Sequence, residues 1–474
     1  MASSNYSAGL HFVVSTPVQT LAKRDRKAIR KHATKARVVH PRKKVVRLWS
    51  WINPARELGS RNAVLTDDNP TPKSMSVPVP RLVGSYFSGL QLPPGVEPCM
   101  IQDLVKLIVL NKNVAYPYEI CLDVHPVERG WFPYMISDIC CLHSMMFSLR
   151  AFMEKDSCDQ PSHFTTFHYA KTLQILQSRL HDFDKTSAIS DSTIMVVITL
   201  ATIAEISKDL AGVETHIKGL EKIVKLRGGV RALDTNNNMQ VKVCRADLGY
   251  ALLFGRQPLL FREGPSWDCF IADCGLIKCS HEPHDAIILA FAQTTLDERL
   301  HNVLRDVHAF SCISNVAYQT TRKLSPETYN EMTISILYRL THLFFESDLL
   351  QEAIRLGLLV FSSTIFLQRH IIEQPYENLL NLYGDALLGL FAHGSSTDAL
   401  PVPVILWLTI LSDMVAGKEI PSTDRLHTVI GRASIESWSQ ASEVLRSIAW
   451  VDFIHEKRGK EVFEASVSQL RCQR

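Results

Sequence analysis

Three cysteines, Cys269, Cys274 and Cys279, stand with four residues between neighbours and precede His281 and His284. Thiolates and imidazoles are the donors zinc prefers, so the cluster has the residue types of a four-ligand structural site. It lacks the Cys-x2-Cys knuckle that seats two thiolates on one tight turn, and no such pair occurs anywhere in the chain. Small buried cysteines in a loop between helices account for the cluster better than a metal does. Hydrolytic and nucleotide chemistry lack their signals too. There is no Gly-x-Ser-x-Gly elbow, no Gly-x-Gly-x-x-Gly or Walker A loop, and no His-Glu-x-x-His pair. The 18 histidines are scattered. His216 falls between Val213 and Leu220 in a helical pattern, the place of a partly buried structural histidine. Asp247 follows Cys244-Arg245-Ala246 within an apolar pattern. A carboxylate buried there needs compensation, and Arg256 or Arg231 is the expected partner. The reading is therefore no catalytic residue, no metal and no cofactor.

The densest chemistry is cationic. Between Lys23 and Arg47 lie twelve Lys/Arg residues against Asp25 alone, a net +11, which leaves −8 for the rest of a chain whose total is +3. Eleven of them, Lys23, Arg24, Arg26, Lys27, Arg30, Lys31, Lys35, Arg37, Arg42, Lys43 and Lys44, form two clusters around a spacer. The pattern Lys23-Arg24-Asp25-Arg26-Lys27, then Pro41-Arg42-Lys43-Lys44, is that of a bipartite nuclear import signal read by an import receptor. The same charges suit DNA phosphates, with salt-dependent and sequence-independent affinity. They carry no base code, since that requires side chains held in a groove. A solvated tail without a partner is the plainer alternative.

These residues sit on a segmented chain. With 46% hydrophobic and 21% charged residues among 474, a sizeable core is available. Residues 54–98 hold eight prolines, the composition of an extended linker. From about Met100, apolar residues recur at helical spacing almost to the end. The clearest helix is 212–227, with Val213, Ile217, Leu220, Val224 and Leu226 on one face and Gly228-Gly229 as its stop. Further helices are expected at 136–154, 164–183, 190–208, 241–254, 283–306, 327–345, 351–366, 379–391, 403–416 and 423–454. The uncharged apolar runs are short for a bilayer and read as core helices. The polar start, Met1–Leu10, has no apolar stretch of the secretory kind. The eleven cysteines, several in apolar helical patterns, are expected to be reduced and mostly buried.

One stretch is diagnostic beyond its periodicity. Thr215-His-Ile-Lys-Gly-Leu-Glu-Lys-Ile-Val-Lys-Leu-Arg-Gly-Gly229 resembles the signature helix of the fungal-specific transcription factor domain family. Val243-Cys-Arg-Ala-Asp-Leu-Gly-Tyr-Ala251, running on to Gly255-Arg-Gln-Pro258, is similar to the block that follows it. Ile336-Leu-Tyr-Arg-Leu340, Glu352-Ala-Ile-Arg-Leu356 and Trp407 fit later pieces. Phe12-Val-Val-Ser-Thr-Pro17, with Arg30-Lys31-His32 beyond, resembles the start of a subgroup that carries the misleading label "tachykinin family". The resemblance covers residues 130–460 and the N-terminal motif. It implies an all-α, irregular multi-helix array like the middle-homology region of zinc-cluster activators, and a role in transcriptional regulation. The zinc cluster itself needs six closely spaced cysteines, and residues 1–98 contain none.

The expectation is thus a disordered basic N-terminal arm over residues 1–53, a proline-rich linker over 54–98 and a helical regulatory domain over 99–474. The expected function is transcriptional regulation in the nucleus, with non-specific DNA contact through the arm, an import receptor, and a protein partner or homodimer. No membrane partner is expected. The alternative is a cytoplasmic helical adaptor derived from the same family that never touches DNA.

Overall fold

The chain divides into two units, Met1–Arg81 and Leu82–Arg474. The computed structural model describes residues 100, 121, 137–154, 160–181, 185–233, 239–260, 265–272, 296–367, 376–392, 401–415 and 423–472, all in the second unit. The described residues are mostly helical, with no strand among them. The architecture is all-α, as the periodicity predicts.

Two hydrophobic cores organise the helices. The first is built from α1 (Ile139–Glu154), α2 (His163–His181), the one-turn α3 (Lys185–Ala188), α4 (Asp191–Ile206) and α5 (Leu210–Arg227). α4 is apolar over most of its surface and lies between α1 and α5, burying Ile194, Val196 and Leu200. A helix so largely apolar has to be mostly interior, and each such side chain contributes roughly 1.5–3 kcal/mol of transfer free energy.

α5 shows how local sequence sets an element. Asp209 caps its start by accepting the Gly212 N–H at 2.9 Å. Gly228, at φ +107°, turns the chain left-handed at the end, and the Gly229 N–H closes onto the Val224 carbonyl at 2.9 Å. Arg227 reaches the Asp191 carboxylate and the Ile189 carbonyl, fastening this end of α5 to the start of α4. The Leu-Arg-Gly-Gly run is therefore a helix stop and a clasp. Glu214–Lys218 and Glu221–Lys225 pair on the solvent side, as their i, i+4 spacing predicts. Leu226, expected on the apolar face, is exposed instead, because 100° per residue carries it away from Val213 and Leu220.

The second core gathers α7 (Glu298–Gln319), α8 (Pro326–His342), α9 (Leu349–Phe366), α10 (Glu377–Ala392), α11 (Val402–Val415), α12 (Thr423–Ala433), α13 (Trp438–Ile448) and α14 (Asp452–Cys472). α9 is long and apolar enough to cross a membrane by length and composition, and 78% of that window is buried within the protein. Gly357 lets α9 approach α11 closely: a Cβ there would stand 2.8 Å from Leu408 and 2.9 Å from Trp407.

Between the cores lies α6 (Met239–Phe254). Met239, Val243 and Tyr250 belong to the first core, whereas Cys244, Leu248 and Leu252 belong to the second. At 100° per residue these two sets fall on opposite sides of one helix. α6 touches α4 and α5 on one side and α8 and α10 on the other.

Several expected boundaries change. The helix expected over 283–306 is described from Glu298 and runs on to Gln319. The single helix expected over 423–454 is three. Ser434, at φ +50°, breaks it first, and Ser437 starts α13 with a reciprocal capping box to Gln440. The extended Ala449 ends α13, and α14 then continues far beyond 454. Residues 1–53 and 54–98, the expected arm and linker, lie outside the described residues.

Candidate functional site at the junction of the two cores

Where the two apolar stripes of α6 leave room, three polar groups meet. Asp247 is fully buried, and its carboxylate accepts the Tyr338 hydroxyl of α8 at 2.8 Å. It also accepts the backbone N–H groups of Leu259 at 2.7 Å and Leu260 at 3.1 Å. Cys244, one turn earlier on α6, hydrogen-bonds the same tyrosine. Burial is the main cause of every proton shift here. It raises the Asp247 carboxyl above its usual range against the opposing pull of the Leu259 and Tyr338 hydrogen bonds. The Cys244 thiol is pushed up to about 12, and the Tyr338 hydroxyl goes well above its ordinary value. A thiol so raised stays protonated and unreactive near neutral pH. The arrangement is a satisfied polar lock rather than a nucleophile with a base.

Neither Arg256 nor Arg231, the partners expected for Asp247, is among its hydrogen-bond donors. Arg256 bonds Glu214 at 2.8 Å and the Tyr250 hydroxyl at 3.0 Å. Its side chain is about half exposed, too far towards water to neutralise a group at the centre of the fold. Backbone N–H groups and a tyrosine do that work instead.

A second buried carboxylate lies within the second core. Asp306 of α7 accepts from the backbone N–H groups of Phe270, Ile271 and Ala272 at 2.9–3.1 Å, and from the Arg339 guanidinium of α8 at 2.7 Å. Neither ionic side chain is exposed. Arg339 also donates to the Asp268 carbonyl at 3.2 Å. Asp247 and Asp306 thus hold the two described pieces of the chain between α6 and α7, 255–260 and 265–272. A break in a buried pair of this kind costs several kcal/mol, because it strands an uncompensated charge.

The remaining candidates from the sequence separate cleanly. Cys269 is half-buried in the pinned connection, with its sulfur 3.5 Å from the Asn302 side-chain oxygen and 3.2 Å from Arg305. Cys274, Cys279, His281 and His284 lie outside the described residues. Among the described residues, no group of three or more possible metal ligands occurs. His216 is half-buried on α5; burial lowers its basicity and Asp209 opposes that shift. Cys140, Cys141 and Cys244 are buried free thiols, as expected. The eleven basic residues from Lys23 to Lys44 lie outside the described residues.

Sequence reasoning missed Tyr338, Asp306 and Arg339. A signal for two of them was present. Asp306 falls on the face of Val303 and Phe310, and Arg339 on the face of Met332 and Ile336, so each puts a charge into an apolar stripe.

Compared with known proteins, the chain matches no family model, and no curated protein or solved structure matches it.

Proposed function

We propose that this chain is a transcriptional regulator of the nucleus, whose helical body is a regulatory and interaction domain and whose basic arm drives import and contacts phosphates without reading sequence. The observation that carries the reading is the charge asymmetry: +11 within residues 23–47 against −8 for the remainder. The body supports it in a second way. The most specific part of the resemblance, 215–258, spans α5, α6 and the start of the pinned connection, and of these α6 is shared by the two cores. A helix shared by two cores lets a partner on one side bias the other, which is what a regulatory domain needs. No cysteine precedes Cys99, so a zinc-cluster DNA reader is not encoded in residues 1–98. That observation favours the second reading, a helical adaptor of the same descent that leaves DNA contact to a partner.

Fluorescently tagged full-length chain, beside a version with the eleven cations of Lys23–Lys44 changed to Gln, tests the proposal. Nuclear signal lost on neutralisation is the expected result. Cytoplasmic signal in both contradicts import and leaves the adaptor.

A further inference from the structure

In the first core, two imidazoles meet at a tilt of 41°, their centroids 4.9 Å apart. His143 of α1 and His168 of α2 place their Nδ1 atoms 2.8 Å apart. His143 is 8% exposed and His168 is 2% exposed. The Phe164 ring lies 4.2 Å from the His168 ring, and Phe167 meets both imidazoles edge-on. A hydrogen bond between two Nδ1 atoms holds a single proton: one ring donates and the other accepts through its lone pair. The donor ring can take a second proton on Nε2 and keep the bond. Once the accepting ring is protonated, both Nδ1 atoms carry hydrogen, the bond is lost and two cations face each other.

The surroundings add cations to this pair. On α2, Lys171 lies one turn from His168, and its charge adds to burial in lowering the basicity of His143. On α1, the Arg150 guanidinium covers the far partner, the Phe164 ring, at 4.9 Å. Glu154, at the end of α1, is engaged by the Ser162 N–H at 3.0 Å and the Thr165 hydroxyl at 2.8 Å. Arg179 of α2 is paired with Asp138. His163 and His181 lie on the exposed side of α2. From α4, packed on α1, the charged residues are Asp191, held by Arg227, and Glu205.

We propose that the His143–His168 contact is a pH-sensitive latch, which holds α2 on α1 while at least one ring is neutral and releases it when both are protonated. The inference does not depend on the nuclear reading. The sign follows from proton linkage. A histidine kept neutral by the fold binds fewer protons than in the open state, so the contact is fully present above the ordinary histidine value and weakens as pH falls below it. The other helices of the first core keep their own contacts, since α4 packs on α1 and α5 independently of α2.

Hydrogen exchange on the full-length chain tests this, after correction for the intrinsic pH dependence. Residues 163–181 are expected to exchange at least ~10-fold faster at about pH 5.5 than at about pH 7.5, with α9 and α11 unchanged. In the His143→Gln variant the amide donates to His168 and only one ring can charge, so the acid release should shrink to under ~2-fold. His168→Gln should behave likewise. Exchange at the imidazole C2 positions of the unmodified chain gives an independent reading that needs no variant. The second of the two histidines should gain its proton over the same pH interval in which α2 opens. Constant protection of α2 across the range overturns the proposal, as does equal release in the variants or a histidine titration out of step with opening.

Discussion

The second core buries Trp407, Trp450, Phe361 and Phe366 at 1% exposure or less, while α1 and α2 of the first leave Met153, Phe167, Tyr169, Leu173 and Leu180 at 36–50%. The means of closure differ as well. In the second core, glycines meet tryptophans: Gly357 against Trp407, and Gly459 against Trp450 at 2.7 Å from where a Cβ would stand. Its exposed apolar chains, such as Phe344, Leu382 and Leu388, lie in the α8–α9 connection and on α10, at its rim. In the first core, polar contacts hold α2 in place: His143 on His168, the Cys140 thiol donating to the Thr172 carbonyl at 3.6 Å, and Glu154 accepting from Thr165. A core closed by shape yields most to changes of volume. One closed by titratable groups yields to changes of pH.

The largest effect expected from this difference is at Trp407, whose indole N–H also donates to the Ala449 carbonyl at 2.8 Å. Trp407→Ala should cost about 3–5 kcal/mol in urea denaturation, as cavities left by large aromatic side chains do. A loss under ~1 kcal/mol would mean that the second core relaxes around the gap, and the comparison would fail.

A smaller effect separates the cores by the sign of their pH dependence. Asp413, at the end of α11, has its carboxyl raised to about 7, by burial foremost, with Arg425 opposing. One of its oxygens is buried without a hydrogen-bond partner. A raised carboxyl binds more protons in the folded state, so its contribution is present at low pH and is lost as pH rises through about 7. Asp413→Asn should therefore stabilise the protein by about 1–2 kcal/mol at about pH 8 and change little at about pH 4. The second core thus weakens on the alkaline side and the first on the acidic side. Thermal melts of the variant at both pH values check the sign.

The helices were legible because their apolar faces recur at helical spacing, and α5 was legible almost to its last residue because Gly228-Gly229 encodes the stop. The break at Ser434 was not, since apolar spacing runs on through 423–454 and Gly431, beside the turn, lies inside α12 rather than at its stop. Only the Ser437–Gln440 spacing signalled a new start. α14 is strongly charged, with Glu456, Lys457, Arg458, Lys460 and Glu461 in close succession, and so gives little apolar signal. The junction was half legible. A carboxylate in the apolar run of α6 marks Asp247 as a group that needs partners. Those partners are two backbone N–H groups 12 and 13 residues away and a tyrosine 91 residues away. Backbone donors leave no trace in residue identity, and tertiary pairing over such separations is invisible to local pattern.

α6 is shared by the two cores, and the Tyr338 hydroxyl ties its Asp247 to α8. A double-mutant cycle with Asp247→Ala and Tyr338→Phe, read by denaturation and by hydrogen exchange in α5 and α8, tests it most directly. A coupling of about 1–3 kcal/mol and loss of protection on both sides of α6 are expected. Coupling near zero, or loss confined to one core, would contradict it.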